Sequence, residues 1–141
     1  MKTVDEPASA GPLPAAAGIS VLVVDDETAV RRFAARVLER EGYAVVEATD
    51  GIDALELLST GALAIEVVVS DIVMPRLNGV ELTQTLAASH PDLPVILMSG
   101  YATGALAELG IAAPCAILPK PFSSERLLEE VRRCARPRNA A

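Results

Sequence analysis

"IEVVVSDIVMPRLNG", residues 65 to 79, carries Val67, Val68 and Val69 into a carboxylate, Asp71, and then into Met-Pro and Asn-Gly. A short, uninterrupted β-branched run bounded by turn residues reads as a strand buried on both faces, as in a parallel sheet. Asp71 has an ordinary use here, because Asp ends strands and caps helices by bonding nearby backbone N–H groups. It also has a second use, as a reactive carboxylate held at the edge of a sheet by a rigid strand. The following "MPRLNG" reads as a proline turn that enters a helix through Asn78.

Working outward, the 141 residues suit one domain with a proper core. Hydrophobic residues make up 51% of the chain and aromatics 3%, so the core is built from Val, Leu, Ile and Ala. That composition fits an α/β sheet covered by helices on both faces. A formal net charge of −7 argues against nucleic acid as a partner, since phosphate-backbone affinity needs clustered Lys and Arg. Cys115 and Cys134 have no C-x-x-C spacing and read as reduced packing residues of a cytoplasmic protein. "MKTVDEPASAGPLPAAAG" has no apolar core of a signal peptide, and no stretch of eighteen apolar residues suggests a membrane span.

Residues 1–18 are rich in Pro, Ala and Gly and read as a flexible tail or linker. The domain is expected over 19–136, with a short C-terminal tail at 137–141. "ISVLVV" reads as a first strand, followed by a helix with Val30, Phe33, Ala34, Val37 and Leu38 on its inner face. Gly42 closes that helix. "YAVVEA" is a second strand, followed by a helix facing inward through Ala54, Leu57 and Leu58, which Gly61 closes. The third strand leads to a helix from about Gly79 with Leu82, Thr83, Leu86 and Ala87 inside, ended by "HPDLP". "PVILMS", a short helix over "ATGALAELG", "CAIL" and a last helix with Leu127, Leu128, Val131, Cys134 and Ala135 inside complete a (βα)5 chain. Such alternation implies a parallel, doubly wound sheet with right-handed crossovers. Its site lies beyond the carboxyl ends of the strands, where strand order reverses.

The strand ends carry Asp25 and Asp26, then Asp71, then Ser99, then Lys120, while strand two ends in nothing comparable. In the order 2-1-3-4-5 these residues converge in one cleft. With that order the pattern resembles the receiver domain of two-component response regulators, a flavodoxin-like fold, and covers roughly residues 19 to 136. "ILMSGYA" and "ILPKPFS" look most like receivers of hybrid sensor histidine kinases.

The resemblance implies a phosphoacceptor module served by a sensor histidine kinase or a histidine phosphotransfer protein. Asp71 would accept the phosphoryl group. Asp26, Asp71 and the backbone carbonyl of Val73 would hold Mg2+ directly, with Asp25 acting through water. Three clustered carboxylates repel one another, so a hard divalent cation is their natural companion. Lys120 would pair with Asp71 and neutralise phosphoryl oxygens, and Ser99 would donate its hydroxyl to one of them. The "KPF" at 120–122 resembles the family's lysine-proline pair, whose cis turn aims the lysine inward.

Singly, each residue has a plainer explanation. Asp26 could be an N-cap, Ser99 a turn residue, Lys120 a solvated lysine and His90 a turn histidine. The arginines of "RRCARPR" suit the C-terminal end of a helix dipole. It is their coincidence at one edge of one sheet that favours the functional reading. The sequence departs from the family at Ile117, where receivers carry an aromatic that reports on phosphorylation; Tyr101 is the candidate to replace it in a switch with Ser99. The alternative function is a Mg2+-dependent phosphatase of haloacid-dehalogenase type. Such enzymes place a second acid two residues after the nucleophile as a general acid, and here that residue is Val73.

On the same resemblance, the positions two after Asp71 and two after Ser99 should flank the approach of water to phosphorus. Val73 and Tyr101 offer no carboxylate or amide to orient that water, so self-dephosphorylation should be slow. Combining Val73→Asn with Tyr101→Glu should hasten the loss of phosphoryl-Asp71, followed by intact mass over time; unchanged or slower decay would refute the shielding argument.

Overall fold

The structure, a computed structural model, describes residues 19–60, 64–100 and 114–135. In chain order these form β1 (Ser20–Val24), α1 (Thr28–Arg40), β2 (Ala44–Ala48), α2 (Gly51–Ser59), β3 (Val67–Asp71), α3 (Gly79–Ser89), β4 (Val95–Ser99), β5 (Ala116–Pro119) and α4 (Ser124–Cys134). The tails, Gly61, Tyr101 and the short helix expected over "ATGALAELG" lie outside the described residues.

Five strands pair in parallel in the order β2-β1-β3-β4-β5, as the sequence leads one to expect. Strand alternation sorts the valines and leucines into two cores. Val21, Val23, Val67, Val69, Ile96, Met98 and Leu118 face α1 and α4, whose Ala34, Val37, Leu38, Leu127 and Val131 cover them. Leu22, Val24, Val68, Val95 and Leu97 face α2 and α3, where Ala54, Leu58, Leu82 and Leu86 close over them. The central β3 and β4 are buried along their whole length, which explains why β3 reads as an apolar run without alternation.

Helix ends follow local chemistry. Asn78 caps α3 in a full capping box, its side chain accepting from Glu81 N–H while Glu81 accepts from Asn78 N–H. Gly42, at φ 96°, turns the chain out of α1. Asp26 is not the N-cap of α1; Glu27 holds that position without a side-chain cap bond. Two expected inward positions are on the surface. Ala87 is exposed, and Phe33 is 43% exposed with its ring tilted against Phe122 at a centroid distance of 6.0 Å. Glu130 of α4 is buried instead, held by Arg126 and Arg133.

The cysteines require a correction. Cys115, just before β5, and Cys134, at the end of α4, form a disulfide across a sequence separation of 19 residues and are not free thiols. Sequence spacing does not reveal this proximity, because it arises when α4 folds back along β5. Closing a loop of this size removes chain entropy from the unfolded state worth about 3 kcal/mol. Reduction with dithiothreitol should therefore lower the urea midpoint, and Cys115→Ser should show the lower midpoint with or without reductant. Equal midpoints for the oxidised parent and the variant would contradict a stabilising bridge.

Candidate functional site

β1 ends against Asp25 and Asp26, β3 ends on Asp71, and the chain leaving β5 reaches Lys120. Because β1 and β3 are neighbours, one carboxylate oxygen from each of Asp25, Asp26 and Asp71 lies within 4.8 Å of the others. Asp25 is fully buried, Asp71 nearly so and Asp26 exposed, which leaves the cluster open on one side. Lys120 Nζ lies 3.1 Å from Asp71 Oδ1 and 3.4 Å from Asp25 Oδ2.

Backbone groups fix the two buried acids. Ile72 N–H donates to Asp71 Oδ1 at 2.9 Å, so this N–H and the Lys120 ammonium share one oxygen and Oδ2 is outside both contacts. Glu27 N–H donates to Asp25 Oδ1 at 2.9 Å, and the Arg31 guanidinium donates to the Asp25 carbonyl at 3.0 Å while pairing with Glu47. Gly79 brings the start of α3 against the end of β3: its N–H donates to the Ile72 carbonyl, and a Cβ there would collide with the Asp71 carbonyl oxygen. Ser99 ends β4, 1% exposed, and its carbonyl accepts from Lys120 N–H at 2.8 Å. The Lys120–Pro121 bond is cis, as the lysine-proline pair suggests.

The electrostatics follow from this packing. Burial pushes the Asp25 carboxyl above its ordinary range; the Glu27 N–H opposes that, the nearby Asp71 charge adds to it, and Lys120 offsets part of it. For Lys120, burial by itself lowers the ammonium pKa, but the hydrogen bond to Asp71 and the charges of Asp25 and Asp71 together outweigh burial and leave it raised. One ammonium against three carboxylates leaves the group net negative. A donor set made of carboxylate oxygens, open on its Asp26 side, fits a hard divalent cation.

Val73 is 57% exposed on the β3–α3 segment, and Ile117 of β5 is partly buried on the α2–α3 face. His90 caps the end of α3 and shares a 2.8 Å contact with Ser89, remote in role from the acids. The sequence reading passed over one pair. Asp50, following β2, is buried, caps α2 by accepting from Asp53 N–H, and binds Arg76 of the β3–α3 segment. Its cue was the Asp-Gly helix start with Asp53 three residues on; nothing local pointed to Arg76. The Arg76 hydrogen bond, helped by the Asp53 N–H, holds the Asp50 carboxyl below its usual range.

A parallel sheet in this order, with acids and a lysine gathered beyond its central strands, belongs to the class of doubly wound folds that bind ligands at the point of strand reversal. Residues 21–132 match the family model of the response regulator receiver domain, and the chain belongs to that family, a receiver of two-component signalling. It is 43% identical over 114 residues to the sensor kinase CckA of Brucella abortus (strain 2308), a match that takes in 80% of this chain and spans 12% of that kinase. The crystal structure of the receiver domain from the hybrid histidine kinase CckA superposes with a TM-score of 0.69 at 36% identity, covering 83% of this chain and 99% of that one. The response regulator TrrA of Thermotoga maritima, crystallised with Mg2+-BeF, has a TM-score of 0.71 at 27% identity, with 82% and 98% of the two chains covered. The likeness to CckA agrees with the resemblance to hybrid-kinase receivers seen in the sequence.

The raised Lys120 pKa has a testable origin. A group raised on folding contributes stability that is present below its unfolded pKa and is lost as pH rises through the folded value. Asp71→Asn removes both the charge and the charge-assisted bond, so the Lys120 pKa should fall, as read by NMR titration of its ε-methylene in Mg2+-free buffer. An unmoved pKa would show that Asp71 does not hold the ammonium.

Proposed function

We propose that Asp71 is the phosphoacceptor of this receiver, taking a phosphoryl group from a sensor histidine kinase or a histidine phosphotransfer protein and changing the surface offered to a downstream protein. The observation that carries this reading is the contact between Lys120 Nζ and Asp71 Oδ1 at 3.1 Å, made within an acidic cluster that is open on its Asp26 side. In the transfer, an Asp71 carboxylate oxygen forms a bond to phosphorus as the N–P bond of a phosphohistidine breaks, and the departing imidazole keeps the electron pair. Oδ2, outside the Ile72 and Lys120 contacts, is the oxygen available for that bond.

Lys120 faces the charge that develops on the phosphoryl oxygens, and its fixed position means little reorganisation is needed when the group arrives. Ser99 donates its hydroxyl to a phosphoryl oxygen. Asp26, Asp71 and the Val73 carbonyl would hold Mg2+, with Asp25 acting through water; when bound, the ion supplies positive charge that offsets the repulsion between carboxylate and phosphoryl oxygens. Ser99, Tyr101 and Ile117 form the proposed switch.

The domain is read as an acceptor and not as a turnover enzyme, because Val73 stands where a phosphatase would need a general acid. Residues 19–136 form the proposed domain, flanked by tails at 1–18 and 137–141. A cytoplasmic setting, without nucleic acid or membrane as partner, suits a phosphohistidine donor. There the Cys115–Cys134 bridge is open to cellular thiol reductants. Among the described residues no helix is long and apolar enough to cross a membrane.

Incubation with acetyl phosphate and Mg2+ should raise the intact mass by one phosphoryl group, and Asp71→Asn should abolish the gain. A gain that persists and maps to Ser99 would refute the assignment. In Mg2+ titrations Asp26→Ala should weaken binding more than Asp25→Ala; affinities equal to the parent's for both would move the cation out of this cluster.

A further inference from the structure

The segment from Ile72 to Asn78 joins the end of β3 to α3 and carries Val73. It is anchored at its ends by Ile72 N–H donating to the Met98 carbonyl at 3.2 Å and Gly79 N–H donating to the Ile72 carbonyl at 2.9 Å. Its middle is held by a different element, the start of α2. Arg76 Nε donates to Asp50 Oδ2 at 2.7 Å and Nη2 donates to Oδ1 at 3.1 Å, a forked pairing of guanidinium with carboxylate. One residue on, the Leu77 carbonyl accepts from Gly51 N–H at 3.1 Å, and a Cβ on Gly51 would overlap that carbonyl. Asp50 and Gly51 thus grip two consecutive residues of the segment.

The backbone at Arg76 is of a kind that surrounding contacts must hold. Its φ of 66° is the one left-handed value of a non-glycine residue among the described residues. A side chain with a Cβ disfavours this region, and it persists where surrounding contacts determine it. An exposed ion pair is ordinarily worth little. This one differs in that the Asp50 side chain is 8% exposed, is forked to Arg76, and accepts a further bond from the Asp53 N–H on Oδ1.

We infer that Asp50 and Arg76 are a positioning pair: by clamping the β3–α3 segment to α2, they fix where the backbone carbonyl of Val73 is presented to the divalent cation. The inference rests on the proposed role of Val73 as a ligand. Neither residue belongs to the acidic cluster that would hold the cation, and both act through the shape of the segment, Arg76 lying three residues downstream of Val73. The acidic cluster and its cation site thereby gain a dependence on α2, which itself contributes no residue to that cluster.

Calorimetric titration of Mg2+ into the parent, three Arg76 variants and Asp50→Asn tests this. Arg76→Gly accommodates the left-handed backbone freely but loses the guanidinium, and should weaken Mg2+ binding about tenfold, as loss of a group that orients a ligand does. Asp50→Asn should weaken it similarly. Arg76→Lys keeps the charge without the fork and should recover part of the affinity, whereas Arg76→Ala should recover none. If backbone relief were all that mattered, Arg76→Gly would bind as tightly as the parent and Arg76→Lys would not help; that result overturns the inference. A parent that binds Mg2+ and responds to Asp26→Ala while Arg76→Gly binds equally well overturns this inference alone. A parent that binds no Mg2+ overturns the proposed function with it.

Discussion

Three carboxylates lie within 4.8 Å of one another, with the Lys120 ammonium beside two of them. Burial, with the nearby Asp71 charge, opposes the charge on Asp25. Much of the surrounding structure keeps this arrangement in place. Ile72 and Glu27 give backbone N–H groups to the acids, and Lys120 bridges Asp71 to Asp25. The same repulsion makes the cluster receptive to a divalent cation, because its own negative charges are incompletely compensated.

Such a cluster holds its geometry only if the strands beneath it cannot shift. β3 and β4 are covered on both faces by aliphatic side chains, and the parallel register ties the end of β3 beside the end of β4. Gly79 lets α3 begin directly against the Asp71 backbone. The acid is therefore placed by a packed sheet, while Val73 and Lys120 stand on the connections beyond it, one after β3 and one after β5.

Those segments are themselves constrained in different ways. The β3–α3 segment is clamped by Asp50 of the neighbouring βα unit. The β5–α4 connection carries the cis Lys120–Pro121 bond and sets Phe122 against Phe33 of α1. At the far end of the same unit, the Cys115–Cys134 bridge ties the approach to β5 to the end of α4, where Arg133 also reaches the Cys115 carbonyl. The lysine that faces the acids is thus carried on a βα unit closed at its other end by a covalent bond.

The strands, the strand-end acids and Lys120 were legible in the sequence because their signals are local. Valine runs, Gly42 after a helix and Asn78 before one act over a few residues, and a (βα)5 alternation restricts topology enough to bring Asp25, Asp26, Asp71 and Lys120 to one edge. Contacts between distant residues that neither the (βα)5 alternation nor the family resemblance implies were not legible. Asp50 and Arg76 are 26 positions apart and meet because α2 starts beside the β3–α3 segment. Cys115 and Cys134 are 19 apart and read as separate thiols until α4 packs back along β5. Phe33 lies on the expected helical stripe but rests near the rim of the core, beside Phe122. Sequence sets which side chains each element offers and to which face. Tertiary packing decides which of them come within bonding distance, since a hydrogen bond or disulfide depends on ångström distances that residue spacing does not encode.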